Sequence, residues 1–221
     1  MRPPIEILKR AGGVLIVTGL IDIGFMVYCI FNGLSYASSL NIFAVVAGVL
    51  LWQGRLGIAS AVHAAATFAL GAICAALIAF PFLFPADLMF TAFRLYPANA
   101  VIWLLFFTAA MILAIWLGIE LGQTSVRLAC LAKGMRIRRA GLCAVTGAGF
   151  SFVVAVVMYF SLNGESAEQA KAMAQRELGA GYRYFVTGMQ MNGSGEKSEV
   201  DATVTAWTKD EIRHVLVHWQ R

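Results

Sequence analysis

The sequence predicts a membrane bundle of five transmembrane helices followed by a small C-terminal α+β domain, one helix on a three-stranded antiparallel sheet. Three observations predict it. Of 221 residues, 60% are hydrophobic and 13% charged, whereas charged residues make up about a quarter of a soluble domain. Five apolar stretches, about 12–32, 37–53, 57–80, 98–119 and 141–162, approach the roughly 20 residues that cross the hydrocarbon of a bilayer. Beyond residue 162 the composition turns abruptly water-compatible, so 163–221 reads as a separate domain.

The net charge of +5 is unevenly spread: residues 1–162 carry ten Lys/Arg against four Asp/Glu, and 163–221 carry seven against eight. The basic excess therefore belongs to the membrane part, where it is a topology signal; no nucleic-acid partner is expected. Arg2, Lys9 and Arg10 precede the first stretch, Arg55 follows the second, and Arg127, Lys133, Arg136, Arg138 and Arg139 crowd the loop after the fourth. The opposite loops hold only Arg94 with Asp87. Because short cytoplasmic loops concentrate Lys and Arg, the N-terminus is expected in the cytoplasm and 163–221 outside it. With such brief loops, the expected location is a bacterial inner membrane, multi-pass, with a periplasmic domain.

The first stretch is preceded by basic residues, as a signal peptide would be. Its apolar run is longer than a signal peptide's, it contains Asp22, and it lacks an Ala-x-Ala cleavage pattern, so it is expected to be retained. Gly12, Gly13, Gly19 and Gly24 in the first stretch, and the Ala/Gly series from Gly57 to Ala76 in the third, give small surfaces that let helix backbones approach in lipid. These two helices are expected inside the bundle. The segment Phe80 to Pro97, rich in aromatics and punctuated by proline, reads as a short helix in the outer interface. The loop after the fourth stretch holds a short helix from Thr124 stopped by Gly134. Its cations Arg127, Lys133, Arg136, Arg138 and Arg139 each contribute about 1 kcal/mol of attraction to an anionic leaflet, so this surface is expected to meet the lipid bilayer.

In the C-terminal domain, Ser166-Ala-Glu-Gln169 is a capping-box pattern ahead of an alanine-rich run, and Gly179 stands where a helix would end. Tyr182–Met191, Val200–Thr208 and Glu211–Gln220 are rich in β-branched and aromatic residues and are separated by Asn192-Gly-Ser-Gly195 and Lys209-Asp210, a three-stranded meander. Apolar residues fall on both faces of these strands, so alternation alone does not say which face is covered. Fewer than 60 residues bury a thin core, and docking on the ends of the spans would help it. A last span followed by a helix and a strand meander resembles, in architecture, the outside domains of some respiratory-complex assembly factors and the PepSY-type small domains. No functional residue is carried over from either.

Four constellations carry potential chemistry. Asp22 and His63 lie about 18 and 12 Å deep, counting 1.5 Å per residue from Arg10 and Arg55, close enough in depth to form an intramembrane polar pair. A carboxylate at mid-bilayer costs about 2.5–3.5 kcal/mol and calls for a partner. Bis-histidine haem is not expected, because His63 is the lone histidine of the five stretches. His214 and His218 would chelate a metal on a helix, but on a strand they stand about 13 Å apart, so no metal is expected. Gly193-Ser-Gly-Glu-Lys197-Ser198 lacks the contiguous ending of a phosphate loop and reads as a hairpin turn. Cys29, Cys74, Cys130 and Cys143 form no disulfide framework.

No cofactor and no catalytic set is expected. The function expected is that of a non-enzymatic accessory or assembly subunit, held in the membrane and binding a protein partner through the outer domain. Exposed aromatic and basic groups among Tyr182, Arg183, Tyr184, Trp207, Arg213 and Trp219 are the expected partner-binding residues. The alternatives are a small proton-linked transporter or channel using Asp22 and His63, acting as a homo-oligomer, and an enzyme acting on a lipid-phase substrate.

Overall fold

The computed structural model describes residues 3–33, 41–135, 139–192 and 199–220. The chain is mostly helical: α1 (Pro4–Phe31), α2 (Asn41–Trp52), α3 (Leu56–Leu83), α4 (Ala86–Leu95), α5 (Pro97–Leu121), α6 (Thr124–Ala132), α7 (Ala140–Asn163) and α8 (Glu165–Leu178). It ends in strands β1 (Arg183–Asn192), β2 (Glu199–Trp207) and β3 (Ile212–Gln220). Arg2, Arg136, Arg138 and residues 193–198, where a hairpin turn is expected, lie outside the described residues.

Among the described residues, four helices, α1, α3, α5 and α7, are long and apolar enough to cross a membrane. At 1.5 Å per residue their 28, 28, 25 and 24 residues rise about 36–42 Å, against about 30 Å of hydrocarbon. The fifth expected span, 37–53, is not confirmed. The helix found there, α2, has 12 residues and rises about 18 Å, which is short of a crossing, and 34–40 lie outside the described residues. Pro81 does not end α3, which runs on to Leu83.

The fold divides into two compact units, Met1–Ala72 with Ala110–Ala148, and Ile73–Ala109 with Gly149–Arg221. In the first, α1 and α2 are antiparallel and their backbones touch. A Cβ on Gly12 would lie 2.5 Å from the Gly48 carbonyl oxygen, and one on Gly48 would lie 2.8 Å from that of Gly12. The small residues of α3 meet α7 in the same way: a Cβ on Gly71 would lie 2.0 Å from the Ala144 carbonyl oxygen, and one on Gly147 would lie 2.0 Å from that of Phe68. The core of this unit gathers Ile7, Leu8 and Leu15 with Leu51, Leu117 and Leu121. The short helix α6 adds Val126 and Cys130, whose thiol points to the Leu56 carbonyl oxygen at 3.8 Å. Gly134 follows α6 with φ of 70°, a left-handed turn that glycine accommodates without strain.

In the second unit the strands form an antiparallel meander in the order β1-β2-β3, as the turn signals predict. The register pairs Phe185 with Thr205 and Thr205 with His214. With a period of two, Val200, Ala202, Val204 and Ala206 share one face of β2, and Asp201, Thr203, Thr205 and Trp207 the other. The first face is buried with Val215, Val217 and Trp219 of β3 and with Ala167, Ala170 and Ala174 of α8. Those alanines recur at helical spacing, and their small side chains let α8 lie close to the strands. Helix α8 does not start on its capping box. Gly164 in an extended conformation is its N-cap and makes no side-chain cap bond, because α7 ends only at Asn163 and leaves no room for Ser166 outside the helix.

Candidate functional site

Both faces of the sheet carry apolar residues because both are covered, the second only in part. On that face, Phe84 meets the Phe185 ring at 5.7 Å between centroids. Asp87 forms an ion pair with Arg183, and Arg94 reaches Asp210 at 3.5 Å. Leu88 of α4 and Leu162 of α7 belong to the same core as the strands. The aromatic segment expected as an interfacial helix is thus α4, and its inner side is a wall of the C-terminal domain. Coverage stops short of the far half of the face. There Leu216 is 71% exposed, opposite Thr203. His218 Nδ1 lies 2.7 Å from an Asp201 carboxylate oxygen, and His214 Nδ1 lies 3.0 Å from Thr205 Oγ1. Both histidines are on the strand β3 and exposed, and each has its own cross-strand partner on β2.

Two of the six expected partner-binding residues are buried within the chain. Trp207 and Trp219 are 5% and 7% exposed and sit in the core, each on a covered part of the sheet. Tyr182, Arg183, Tyr184 and Arg213 remain at the surface or half-buried, but all are engaged. The Tyr182 hydroxyl donates to Glu211 at 2.9 Å, Arg213 lies over the Tyr182 ring at 5.8 Å, and the Tyr184 hydroxyl donates to the Gly179 carbonyl. Arg213 Nε also bonds Glu211 at 2.5 Å. The Arg213 hydrogen bond, then the Tyr182 hydroxyl, hold the Glu211 carboxyl below its ordinary pKa. The same carboxylate pushes the Tyr182 hydroxyl up and Arg213 further up.

In the first unit, His63 is 5% exposed and its Nδ1 has no hydrogen-bond partner. Its ring packs against Gly122, where a Cβ would approach it to 3.0 Å, and its carbonyl accepts from Thr67 at 2.9 Å. Asp22, the other member of the expected intramembrane pair, is half-buried on α1. Of the cationic surface, Arg127, Lys133 and Arg139 are exposed. Leu128 and Leu131, at 60% exposure each, share the outer side of α6 with Arg127, while Val126 and Cys130 are buried beneath. Burial pushes the Cys130 thiol above its ordinary pKa, against a weaker opposite pull from Lys133.

Sequence reasoning missed a polar cluster formed by α1 and α5. Arg10 lies 3.7 Å from the buried carboxylate of Glu120, whose other oxygen accepts from Gln123 Nε2 at 2.9 Å. The Arg10 guanidinium also stands over the Trp116 ring at 5.8 Å. Beside it opens a 510 Å³ cavity whose lining includes Glu6, Lys9, Arg10 and Glu120 together with Gly13 and Trp52. The signal was present: Glu120 ends the fourth apolar stretch on the side to which the charge rule assigns Arg10.

Fold and site together define a helical protein with four apolar helices of spanning length and a small antiparallel sheet domain at its C-terminus. Comparison with protein-family models, characterised proteins and solved structures finds no match for this chain.

Proposed function

We propose that this chain is an integral membrane protein of a bacterial inner membrane, a non-enzymatic accessory or assembly subunit whose C-terminal domain lies outside the cytoplasm and binds a protein partner. The observation that carries the binding role is the uncovered half of the sheet. One large aliphatic side chain, Leu216, stands 71% exposed among groups able to give and take hydrogen bonds, His214, His218 and Thr203. An apolar centre with a polar, hydrogen-bonding rim is the layout of a protein contact. Arg183, opposite Trp207 on the same face, is held by Asp87 at the covered end of that face, whereas Tyr184 and Arg213 pair with Ala206 and fall on the opposite face.

The membrane reading is supported by the four apolar helices. The orientation is supported by where basic groups gather within the first unit. Gly54, next to Arg55, abuts Ile5 near the start of α1, and Arg10 meets Glu120 near the end of α5. The Arg55 turn and the Lys9–Arg10 pair therefore lie at one end of that unit, as the positive-inside rule requires of a cytoplasmic end.

The test is mass spectrometry of tagged protein extracted in native lipid particles, comparing the parent with Leu216→Lys. Leu216 is outside the core, so the variant keeps the fold. A stoichiometric protein partner present with the parent and lost with Leu216→Lys is the expected result. A partner retained by the variant, or a lone homo-oligomer in both, overturns the reading.

A further inference from the structure

We propose that the cavity beside Arg10 is a binding site for the headgroup of a zwitterionic aminophospholipid, a phosphodiester bearing a primary ammonium. The proposal goes beyond the accessory-subunit reading and rests only on the chain being a membrane protein.

The cavity is graded along α1. Glu6, Lys9 and Arg10 line one part and Gly13 and Val14 the next. At 1.5 Å per residue, Glu6 to Val14 covers about 12 Å, enough to span a headgroup layer of roughly 5–7 Å and enter the hydrocarbon. Trp52 forms the wall of the apolar part. Its ring lies over Gly13, where a Cβ would come within 3.1 Å of it, so glycine at 13 leaves that part open. Trp52 and Trp116 stand at the same end as the cations, and indole rings favour the depth where headgroups meet hydrocarbon. The 510 Å³ of the cavity lies within the range of about 300–1,000 Å³ typical of small-ligand sites.

Charge selects the occupant. Two cations, Lys9 and Arg10, and two carboxylates, Glu6 and Glu120, line the cavity, so their formal charges cancel. A purely anionic headgroup would be drawn to the cations and repelled by both carboxylates. A headgroup carrying both signs meets a partner for each: the phosphate takes Lys9 and Arg10, the ammonium takes Glu6. Arg10 is prepared for this. Glu120 and the Trp116 ring fix its direction, while 53% of its side chain stays exposed and keeps donors for a phosphate. A primary ammonium has three N–H donors for the Glu6 carboxylate, and a quaternary one has none.

The test uses the purified full-length chain in detergent, titrated with phospholipids brominated on the acyl chain, which quench a nearby indole. The signal from Trp52 is taken as the difference between the parent and Trp52→Phe. Ethanolamine phospholipid is expected to quench at a concentration about tenfold or more below glycerol phospholipid, a difference of about 1.4 kcal/mol. Glu6→Gln is expected to abolish the preference for ethanolamine over choline headgroups. Lys9→Gln and Gly13→Leu are each expected to weaken ethanolamine lipid about tenfold. Glycerol lipid quenching as well as ethanolamine lipid overturns the proposal, as does quenching unmoved by Lys9→Gln. Lys9 is exposed, so that variant decides the matter even if Gly13→Leu fails to fold. Release of the chain from membranes by alkaline wash without detergent would overturn the membrane reading itself. A failed lipid site in a chain that stays in the membrane overturns only the site.

Discussion

At the scale of single residues, the burial of Glu120 sets the energetics of the α1–α5 contact. A carboxylate taken out of water costs several kcal/mol unless its oxygens are satisfied, and here Arg10 and Gln123 supply two of its partners. Arg10→Met is expected to destabilise the protein by about 1–2 kcal/mol, below the 3–5 of a fully buried pair, because the Arg10 side chain is half in solvent. Pairing it with Glu120→Gln is expected to return part of that loss, and melting of the purified variants in detergent checks both. Glu211 gives a pH-dependent counterpart in the sheet domain. Its folded-state pKa is depressed, so its contribution is present above the ordinary carboxylate pKa and is lost as pH falls through the depressed value. Glu211→Gln is expected to flatten the dependence of domain melting on pH between about 5 and 3, within the range where carboxylates titrate. A slope unchanged by the variant would refute the Arg213–Glu211–Tyr182 account. These partnerships were not legible in the sequence. Spacing shows that Glu211 and Arg213 share a strand face, but not that Tyr182, 29 positions away, closes the triplet.

At the scale of elements, glycine positions separate contact from mere composition. Gly71 and Gly147 oppose backbone carbonyls at distances no Cβ tolerates, whereas Gly149, on the same helix α7, has nothing within 4 Å. Gly71→Ala and Gly147→Ala are each expected to cost about 1–3 kcal/mol or more, since the obstacle is backbone and cannot rotate away. Gly149→Ala is expected to be neutral or slightly stabilising through helix propensity. A melting series over the three variants checks the α3–α7 packing. The helix α6 offers a chemical readout of its own. Cys130 is fully buried and its thiol pKa is raised, so few thiolates form and none meets a reagent. Maleimide is expected to leave Cys130 unmodified in the folded protein at neutral pH and to label it after denaturation, as mass spectrometry of the peptide would show. Helix existence was legible throughout, since apolar length and Gly134 speak for themselves. The extent of α2 was not, because hydropathy counts apolar residues without asking whether they continue one helix. The capping box misled because Ser166 matches the local pattern while Gly164 ends the preceding turn.

At the scale of the whole molecule, the C-terminal domain is not complete in the residues that its composition assigns to it. The last 59 residues, 163–221, supply one helix and three strands. The core that buries them also takes Leu88 and Leu162, with Phe84 packed against it. A domain this small leaves little stability to spare, and the Phe185–Trp207 face would lie open without α4. Composition placed the boundary where polarity changes, whereas packing draws α4 across it, and no periodicity within 80–97 could have revealed the contact of Asp87 with Arg183, 96 positions later. The isolated segment 164–221 is therefore expected to be unfolded or aggregated, with no cooperative thermal transition by circular dichroism. Within the full chain, Leu88→Ser removes an apolar anchor and is expected to cost about 2–4 kcal/mol, in the range of other large-to-small core changes. It would expose β1 and β2 to protease while α7 stays intact. Reversing the Asp87–Arg183 pair separates this docking from general damage. Asp87→Arg alone sets two guanidiniums face to face and is expected to speed cleavage of the domain. Adding Arg183→Asp restores the attraction and is expected to return protection toward the parent level. Equal protection in all three would mean that α4 does not hold the sheet, and the 164–221 segment would then fold without it.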